Sequence, residues 1–410
     1  MRLLLATAAL ALTAGSCIAQ PATRPATPAG PVVPGIEVLV RDSLHLIRGK
    51  RVGLITNHSG RTRDGTSSID LLFKTPGVRL TALFGPEHGL RGVAQAGESV
   101  ASAVDSATGV PIYSLYGSGT SVPVDSMLQN VDVLLFDIQD VGARVYTYQW
   151  TMAQSAAAVK KPFYILDRPD PIRADRVEGN ILEVPFASGV GRFPTALRYG
   201  LTTGELLRFL VGEKLIASDA KVIPMSGYRR EMWYDQTGMP WINPSPNLRS
   251  LDAALLYPGT VFFEGTNLSE GRGTDAPFTL IGAPWLGDIR EIVTELNGMR
   301  MPGVAFEATA REIEAGQKLG GGTRAIPMIK VRVTDRDAIK PVTVGVRMLR
   351  AIYARHSTEF TWRDAAIDRL AGTRQLREAV QSGTVDDLLA RWDADARRFE
   401  EMTRKYRLYP

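Results

Sequence analysis

Four short apolar runs, each stopping at a polar residue, constrain this 410-residue chain more than any other feature. Arg51-Val-Gly-Leu-Ile-Thr56 leads into Asn57 and His58, and Leu80-Thr-Ala-Leu-Phe84 leads into Gly85-Pro-Glu87-His88. Val131-Asp-Val-Leu-Leu-Phe136 stops at Asp137, and Pro162-Phe-Tyr-Ile-Leu166 stops at Asp167. Such runs read as strands covered on both faces, the habit of a parallel sheet. The intervals suit crossover helices over 67–73 and 148–159, and Thr202-x-x-Glu205 is a capping box ahead of the amphipathic run 206–215. The expected class is therefore α/β. Ligands of open parallel sheets bind beyond the carboxyl ends of the strands, so Asn57, Glu87, His88, Asp137, Asp140, Asp167 and Arg168 are expected to share one rim.

The length exceeds one ordinary core and predicts two domains. Tyr257-Pro-Gly259 reads as a turn and is followed by the glycine-rich stretch 264–274, which places the seam near residue 257. The expected units are a catalytic domain over 35–256 and a smaller α+β domain over 257–410 that completes the cleft. In the second unit, 326–333 reads as a strand. The last helix is expected to start at Thr384-x-x-Asp387, with Leu388, Leu389, Trp392, Ala396, Phe399 and Tyr406 as its packing stripe. Lys and Arg number 48 against 43 Asp and Glu, spread without a basic run, which argues against a nucleic-acid partner.

Residues 1–19 have a positive start, an apolar stretch of about eleven residues and small residues behind it, the layout of a secretory signal. Two processing routes are open: cleavage after Ala19, or lipidation of Cys17 within Ala-Gly-Ser-Cys, which lacks the usual Leu three places before the cysteine. Residues 20–34 read as a flexible Pro/Ala-rich linker. The expected location is periplasmic or secreted, and no later segment is long and apolar enough to span a membrane. Cys17 is the single cysteine, so disulfides, a cysteine-based zinc site and a cysteine nucleophile are excluded from the body of the chain.

Four segments carry candidate chemistry. Gly85-Pro-Glu-His-Gly-Leu-Arg-Gly92 is a tight loop holding Glu87, His88 and Arg91. Phe136-Asp-Ile-Gln-Asp-Val-Gly-Ala-Arg-Val-Tyr-Thr-Tyr148 offers Asp137, Asp140, Arg144 and Tyr146, a set suited to acid/base work on a carbohydrate or to a divalent cation. Asp167-Arg-Pro-Asp-Pro171 is a rigid loop. The stretch around Glu264, Asn267, Glu270 and Arg272 interleaves acids, an amide and a guanidinium with glycines, and Asn247 precedes it. There is no nucleotide-binding glycine signature, no Gly-x-Ser-x-Gly elbow and no His-Glu-x-x-His helix.

Taken together these motifs, with Ser-Pro-Asn-Leu (245–248) and Tyr-Pro-Gly-Thr-x-x-x-Glu-Gly-Thr-Asn-Leu-Ser-Glu-Gly-Arg-Gly-Thr (257–274), resemble the NamZ-type exo-β-N-acetylmuramidase family from about Gly35 to Tyr409. The resemblance implies a Rossmann-like first domain, a smaller second domain and a cleft between them. It also implies release of N-acetylmuramic acid from non-reducing ends of peptidoglycan fragments. On that reading Glu87 is the general acid, and Asp137, Asp140, Glu264 or Glu270 supplies the second carboxylate, with His88 beside them. Asn57, Arg91, Arg144, Tyr146, Asn247, Asn267 and Arg272 are the substrate-binding candidates. Arg144, Arg91 or Arg272 is expected to hold the sugar's lactyl carboxylate, Arg144 first among them. This reading calls for no cofactor and no metal. Two rivals are a metal-dependent hydrolase using His88, Asp137 and Asp140, and a non-catalytic cell-wall-binding lipoprotein.

Overall fold

The computed structural model describes residues 30–87, 90, 103–116, 121–322 and 324–410. The signal region with Cys17, residues 20–29 of the linker, His88 and Arg91 lie outside them.

β1 (Arg51–Thr56), β2 (Arg79–Gly85), β3 (Ala103–Val104), β4 (Pro111–Ser114), β5 (Val133–Asp137) and β6 (Phe163–Leu166) enter one sheet, joined by β9 (Lys221–Ile223) after a separate hairpin of β7 (Glu178–Ile181) and β8 (Ala196–Arg198). Among the described residues its order is β3-β4-β2-β1-β5-β6-β9, parallel throughout except for β3. Alternate side chains serve two cores, as the pleat requires. Val52, Leu54, Val133 and Leu135 face a cluster with Ile36 of α1 (Gly35–Asp42) and Leu72 of α2 (Ser68–Lys74). Ile55, Phe84, Leu134 and Phe136 face a larger one with α3 (Tyr148–Ala158) and α4 (Thr203–Gly212). Both expected crossover helices are present, and the Thr202/Glu205 capping box is made in full.

The second half contributes α5 (Leu251–Thr260), β10 (Leu280–Gly282), α6 (Ile289–Gly298), β11 (Val304–Arg311), β12 (Ile326–Val333), α7 (Pro341–Arg355), α8 (Asp364–Ala371), α9 (Gln375–Ser382) and α10 (Val385–Thr403). β10, β12 and β11 form an antiparallel sheet in that order. One hydrophobic cluster runs from Ile55 to Phe399, so the two halves share a core. The β7–β8 hairpin reaches into the second half, where Glu178 accepts from the Val342 backbone N–H at 3.1 Å at the start of α7.

Three local expectations are corrected. The turn at 257–259 lies inside α5, because tertiary packing overrides the local signal. A Cβ on Gly259 would fall 1.9 Å from the Pro341 carbonyl oxygen, and one on Gly345 2.3 Å from the Gly259 oxygen, so bare backbone lets α5 and α7 touch. The linker reading extends too far: Val32 is buried and its N–H bonds to Thr237 O at 3.1 Å, while Val33 pairs with Ser226. The last helix starts as expected, but the Thr384 hydroxyl makes no cap and meets Ser382 Oγ at 2.9 Å instead.

Residues 408–410 pack back onto the first lobe. Tyr409 shares a small cluster with Val32, and its hydroxyl donates to Asp167 Oδ2 at 2.6 Å. The Leu408 N–H donates to Glu205 at 2.8 Å, and the Arg230 N–H donates to Pro410 O at 3.1 Å.

Candidate active site

The strand order reverses between β1 and β5, the position where an open sheet usually leaves a crevice. Here the crevice is filled. Arg168 lays its guanidinium across Asp137, with Nε to Oδ1 at 2.6 Å and Nη2 to Oδ2 at 2.9 Å, and Ser68 Oγ donates to the same carboxylate. Both ionic side chains are almost wholly buried. The 57–60 loop presses on them so closely that a Cβ on Gly60 would come 2.7 Å from Asp137 O. Asp137 is therefore a buried partner that seals the sheet end rather than a carboxylate open to substrate.

The open space lies one strand over, beside β2. A cavity of about 150 Å³ is walled by Glu87, Val145, Tyr146, Thr147, Val190, Ser245, Leu248, Tyr257, Glu264, Arg272, Phe278 and Leu370. The first lobe brings Glu87 from the β2 exit and Tyr146 with Thr147 from the entry to α3. The second brings Tyr257 from α5 and Glu264 from the 3₁₀ turn Val261–Gly265 that continues it. Thr147 is the N-cap residue of α3, yet its hydroxyl does not cap. It donates to Glu87 Oε2 at 2.7 Å, which fixes the carboxylate over the helix N-terminus, where a negative charge is favoured. Tyr148 donates to Pro244 O at 3.0 Å and ties the 244–248 segment to the same wall.

Across the cavity, Arg272 Nη2 meets Glu264 Oε1 at 2.6 Å and its Nε meets Glu270 Oε1 at 3.1 Å, with the guanidinium over the Phe278 ring. Lys318 stands 3.6 Å from Glu270 Oε2. Burial pushes the Glu264 carboxyl above its ordinary range, with Arg272 opposing. Burial also works against the charge on Arg272, but the two glutamates outweigh it and hold the guanidinium more firmly protonated than usual. Tyr146 packs edge-on against Tyr148 and Tyr257, and Tyr257 against Phe278. The Tyr146 hydroxyl is buried beside Ser245 without a well-formed hydrogen bond, so it is available to a ligand's polar group.

Of the sequence candidates, Glu87, Tyr146, Glu264 and Arg272 thus meet at one cavity. Glu270 stands behind it as the second anchor of Arg272. Asp140 is sealed in: its Oδ2 accepts from Tyr199 and from the Gly142 N–H at 2.9 Å, and burial pushes its pKa up to about 6. Asn57 caps its own turn, accepting from Ser59 N–H at 2.9 Å, and Asn267 clamps a neighbouring segment through Glu359 O at 2.8 Å and Thr361 N–H at 3.0 Å. Asn247 is buried between two residues that line the wall without lining it itself.

Arg144 is the clearest correction. It is fully buried and donates to Asn180 O at 2.9 Å, Thr195 O at 2.8 Å and Ala371 O at 2.7 Å, all backbone carbonyls. With no carboxylate beside it, burial lowers its pKa to about 9. Such a side chain pins the end of α8 to the first lobe and cannot reach a substrate. Sequence reasoning did not single out Val145, Thr147, Val190, Ser245, Leu248, Tyr257, Phe278 or Leu370 as parts of the wall. Val145, Thr147, Ser245, Leu248 and Tyr257 lie within the motifs that carry the family resemblance, whereas Val190, Phe278 and Leu370 carried no signal.

The sequence matches the family description "Exo-beta-N-acetylmuramidase NamZ, N-terminal" over residues 52–252 and "Exo-beta-N-acetylmuramidase NamZ, C-terminal" over 255–409. It is 41% identical over 380 residues to the peptidoglycan beta-N-acetylmuramidase NamZ of Bacillus subtilis (strain 168), covering 92% of this chain and 91% of that protein. Two crystal structures of DUF1343 family proteins from Bacteroides fragilis NCTC 9343 have the same fold. One has a TM-score of 0.84 at 34% identity, covering 92% of this chain and 99% of the other; the second has 0.72 at 28%, covering 93% and 99%. With both family descriptions matched along one chain, and a cavity walled by residues from each of the two matched segments, this chain belongs to the NamZ exo-β-N-acetylmuramidase family.

Proposed function

We propose that this chain is a glycoside hydrolase that releases N-acetylmuramic acid from the non-reducing ends of peptidoglycan fragments. Glu87 protonates the departing glycosidic oxygen and Glu264 acts as the second carboxylate. The observation that carries this is the pair itself: Glu87 and Glu264 come from different lobes and line one cavity between aromatic rings. A cavity of about 150 Å³ is roughly the size that accepts one benzene ring in an engineered protein core, so it holds one sugar ring rather than a strand of them, as an exo-acting enzyme requires. Thr147 positions the Glu87 carboxyl. The buried Tyr146 hydroxyl gives the ring a polar contact. Arg272 opposes the upward pull of burial on the Glu264 carboxyl, which is placed either to attack the anomeric carbon or to activate a water.

The test is turnover of a chromogenic N-acetylmuramic acid glycoside. Glu87→Gln and Glu264→Gln should each lose at least about a hundredfold in kcat while melting like the wild type. Near-normal turnover by Glu87→Gln would remove it from the acid role. Proton NMR of the first sugar released reads retention or inversion, and a chelator arm tests the metal-dependent alternative. We further propose that the chain is exported, with residues 1–19 as the signal. Cleavage after Ala19 is favoured over lipidation because the sequence before Cys17 lacks the usual Leu. Incorporation of labelled fatty acid, lost in Cys17→Ala, would reverse that preference.

A further inference from the structure

The cavity has a second chamber. Space of about 380 Å³ opens beside it, lined by Ser188, Gly189, Val190, Glu264, Arg363, Ala366, Arg369 and Leu370, and shares Val190, Glu264 and Leu370 with the inner cavity. One face of α8 forms its wall. Arg363 at the N-cap of α8 and Ala366, Arg369 and Leu370 on it follow at helical spacing, which puts the Cα atoms of the two arginines about 9 Å apart along the axis with a small residue between them, a span that two arginine side chains can close onto one carboxylate.

These two cations are uncommitted in a way that the others are not. The Arg369 side chain makes no hydrogen bond or ion pair with any described residue, and Arg363 spends only Nη1 on the Glu264 backbone oxygen at 3.3 Å. The acids on α8 itself do not neutralise them. Asp364 pairs with Arg377 at 3.3 Å, and Asp368 pairs with Arg377 at 2.8 Å and Arg374 at 3.7 Å, on the opposite side of the helix. Arg272 is held between Glu264 and Glu270, and Arg144 is spent on backbone carbonyls. Around the two chambers, Glu87, Glu264 and Glu270 face Arg272, Lys318, Arg363 and Arg369, so the described charges leave one positive in excess on the α8 side.

We infer that the α8 chamber is a carboxylate subsite in which Arg363 and Arg369 hold the lactyl carboxylate of the muramic acid whose ring fills the inner cavity. The inference rests on the function proposed above and adds its selectivity. The inner cavity has room for about one ring, so the ring's substituents must project outward. The charged substituent goes to the two free guanidiniums, whose planar forks suit a carboxylate. Both arginines are exposed at the chamber mouth, so the fold does not depend on them.

The experiment compares the wild type with Arg363→Ala/Arg369→Ala on three chromogenic glycosides: N-acetylmuramic acid, its lactyl amide, and the lactyl arm extended by a dipeptide. The expected result is a KM for the free acid raised at least tenfold in the double variant, with kcat within about threefold and an unchanged melt. The wild type should lose about as much on amidation, whereas the variant should not distinguish acid from amide. Calorimetric binding of free N-acetylmuramic acid against N-acetylglucosamine makes the same comparison without turnover, and the double variant should lose the preference. A wild-type KM for the free acid in the double variant, or equal discrimination by both proteins, overturns the subsite. A loss confined to the dipeptide glycoside overturns the lactyl assignment in favour of a stem-peptide carboxyl. A wild type that binds the acid through these arginines but turns over none of the glycosides refutes the hydrolase reading and leaves the subsite standing.

Discussion

Arg144→Lys separates two roles that the same residue would have to play in incompatible ways. A lysine keeps the charge, so a carboxylate-binding residue would keep part of its function in a stable protein. The structure gives Arg144 a different task, in which Nη1 serves Asn180 O and Thr195 O while Nη2 serves Ala371 O on the far side of the fork. A single ammonium in place of one arm deserts the other and leaves one or two buried carbonyls without a donor. Each costs about 1–3 kcal/mol, so a net loss of roughly 2–4 kcal/mol is expected. Unfolding entropy of about 2.1 cal/mol/K per residue, over roughly 380 folded residues, converts this to about 3–5 °C of melting temperature. The assay is a calorimetric melt beside kinetics at 25 °C on the muramic acid glycoside, with kcat/KM within about threefold of wild type. An unchanged melt with a KM raised tenfold would show that the guanidinium reaches substrate and that the staple is misread.

Two further outcomes follow from contacts at and behind the cavity. Thr147→Val removes the one side-chain donor to Glu87 among the described residues at nearly constant volume, and a hydrogen bond to a charged group is worth about 1.5–3 kcal/mol. A kcat lowered by roughly ten- to a hundredfold, a KM within about twofold and recovery in Thr147→Ser are expected; an equal loss in Thr147→Ser would point to packing instead. Burial also raises Asp140, Asp167 and Glu178 to about 6 and Asp170 to about 7. Each binds its proton more tightly folded than unfolded, so its stabilisation is complete below about pH 4 and is lost as pH rises through 6 to 7. The lowered pKa of Asp64, about 2, acts outside that window. Melting temperature should therefore fall between about pH 4 and pH 7 and level off above, and a rise across that range would contradict the burial assigned to these carboxyls.

What the sequence made legible follows from what a local pattern can carry. β5 was readable because all five of its residues are buried, and a strand covered on both faces writes a continuous apolar word. β7 was not, because Glu178-Gly-Asn-Ile181 looks like loop until α7 and α10 cover it from more than 150 residues away. The acids at the strand ends were found as residues but not as roles. Nothing near Asp137 announces that Arg168 will close over it, and nothing near Arg144 announces three carbonyls, one of them 227 residues on. Glu87 stood out already through its loop and the family resemblance, whereas Glu264 was one of four candidates for the second carboxylate, and the fold favours it by leaving open space between the two.

The contacts made by the last three residues give the chain a direction in time. Asp167 follows a central strand, yet the Tyr409 hydroxyl bonded to it lies 242 residues further along the chain. Glu205, inside the capping box of α4, likewise waits for the Leu408 N–H. The first lobe therefore cannot complete its own polar network until residues 408 and 409 have been made and docked, and a product truncated ahead of Tyr409 carries a buried carboxylate missing a donor.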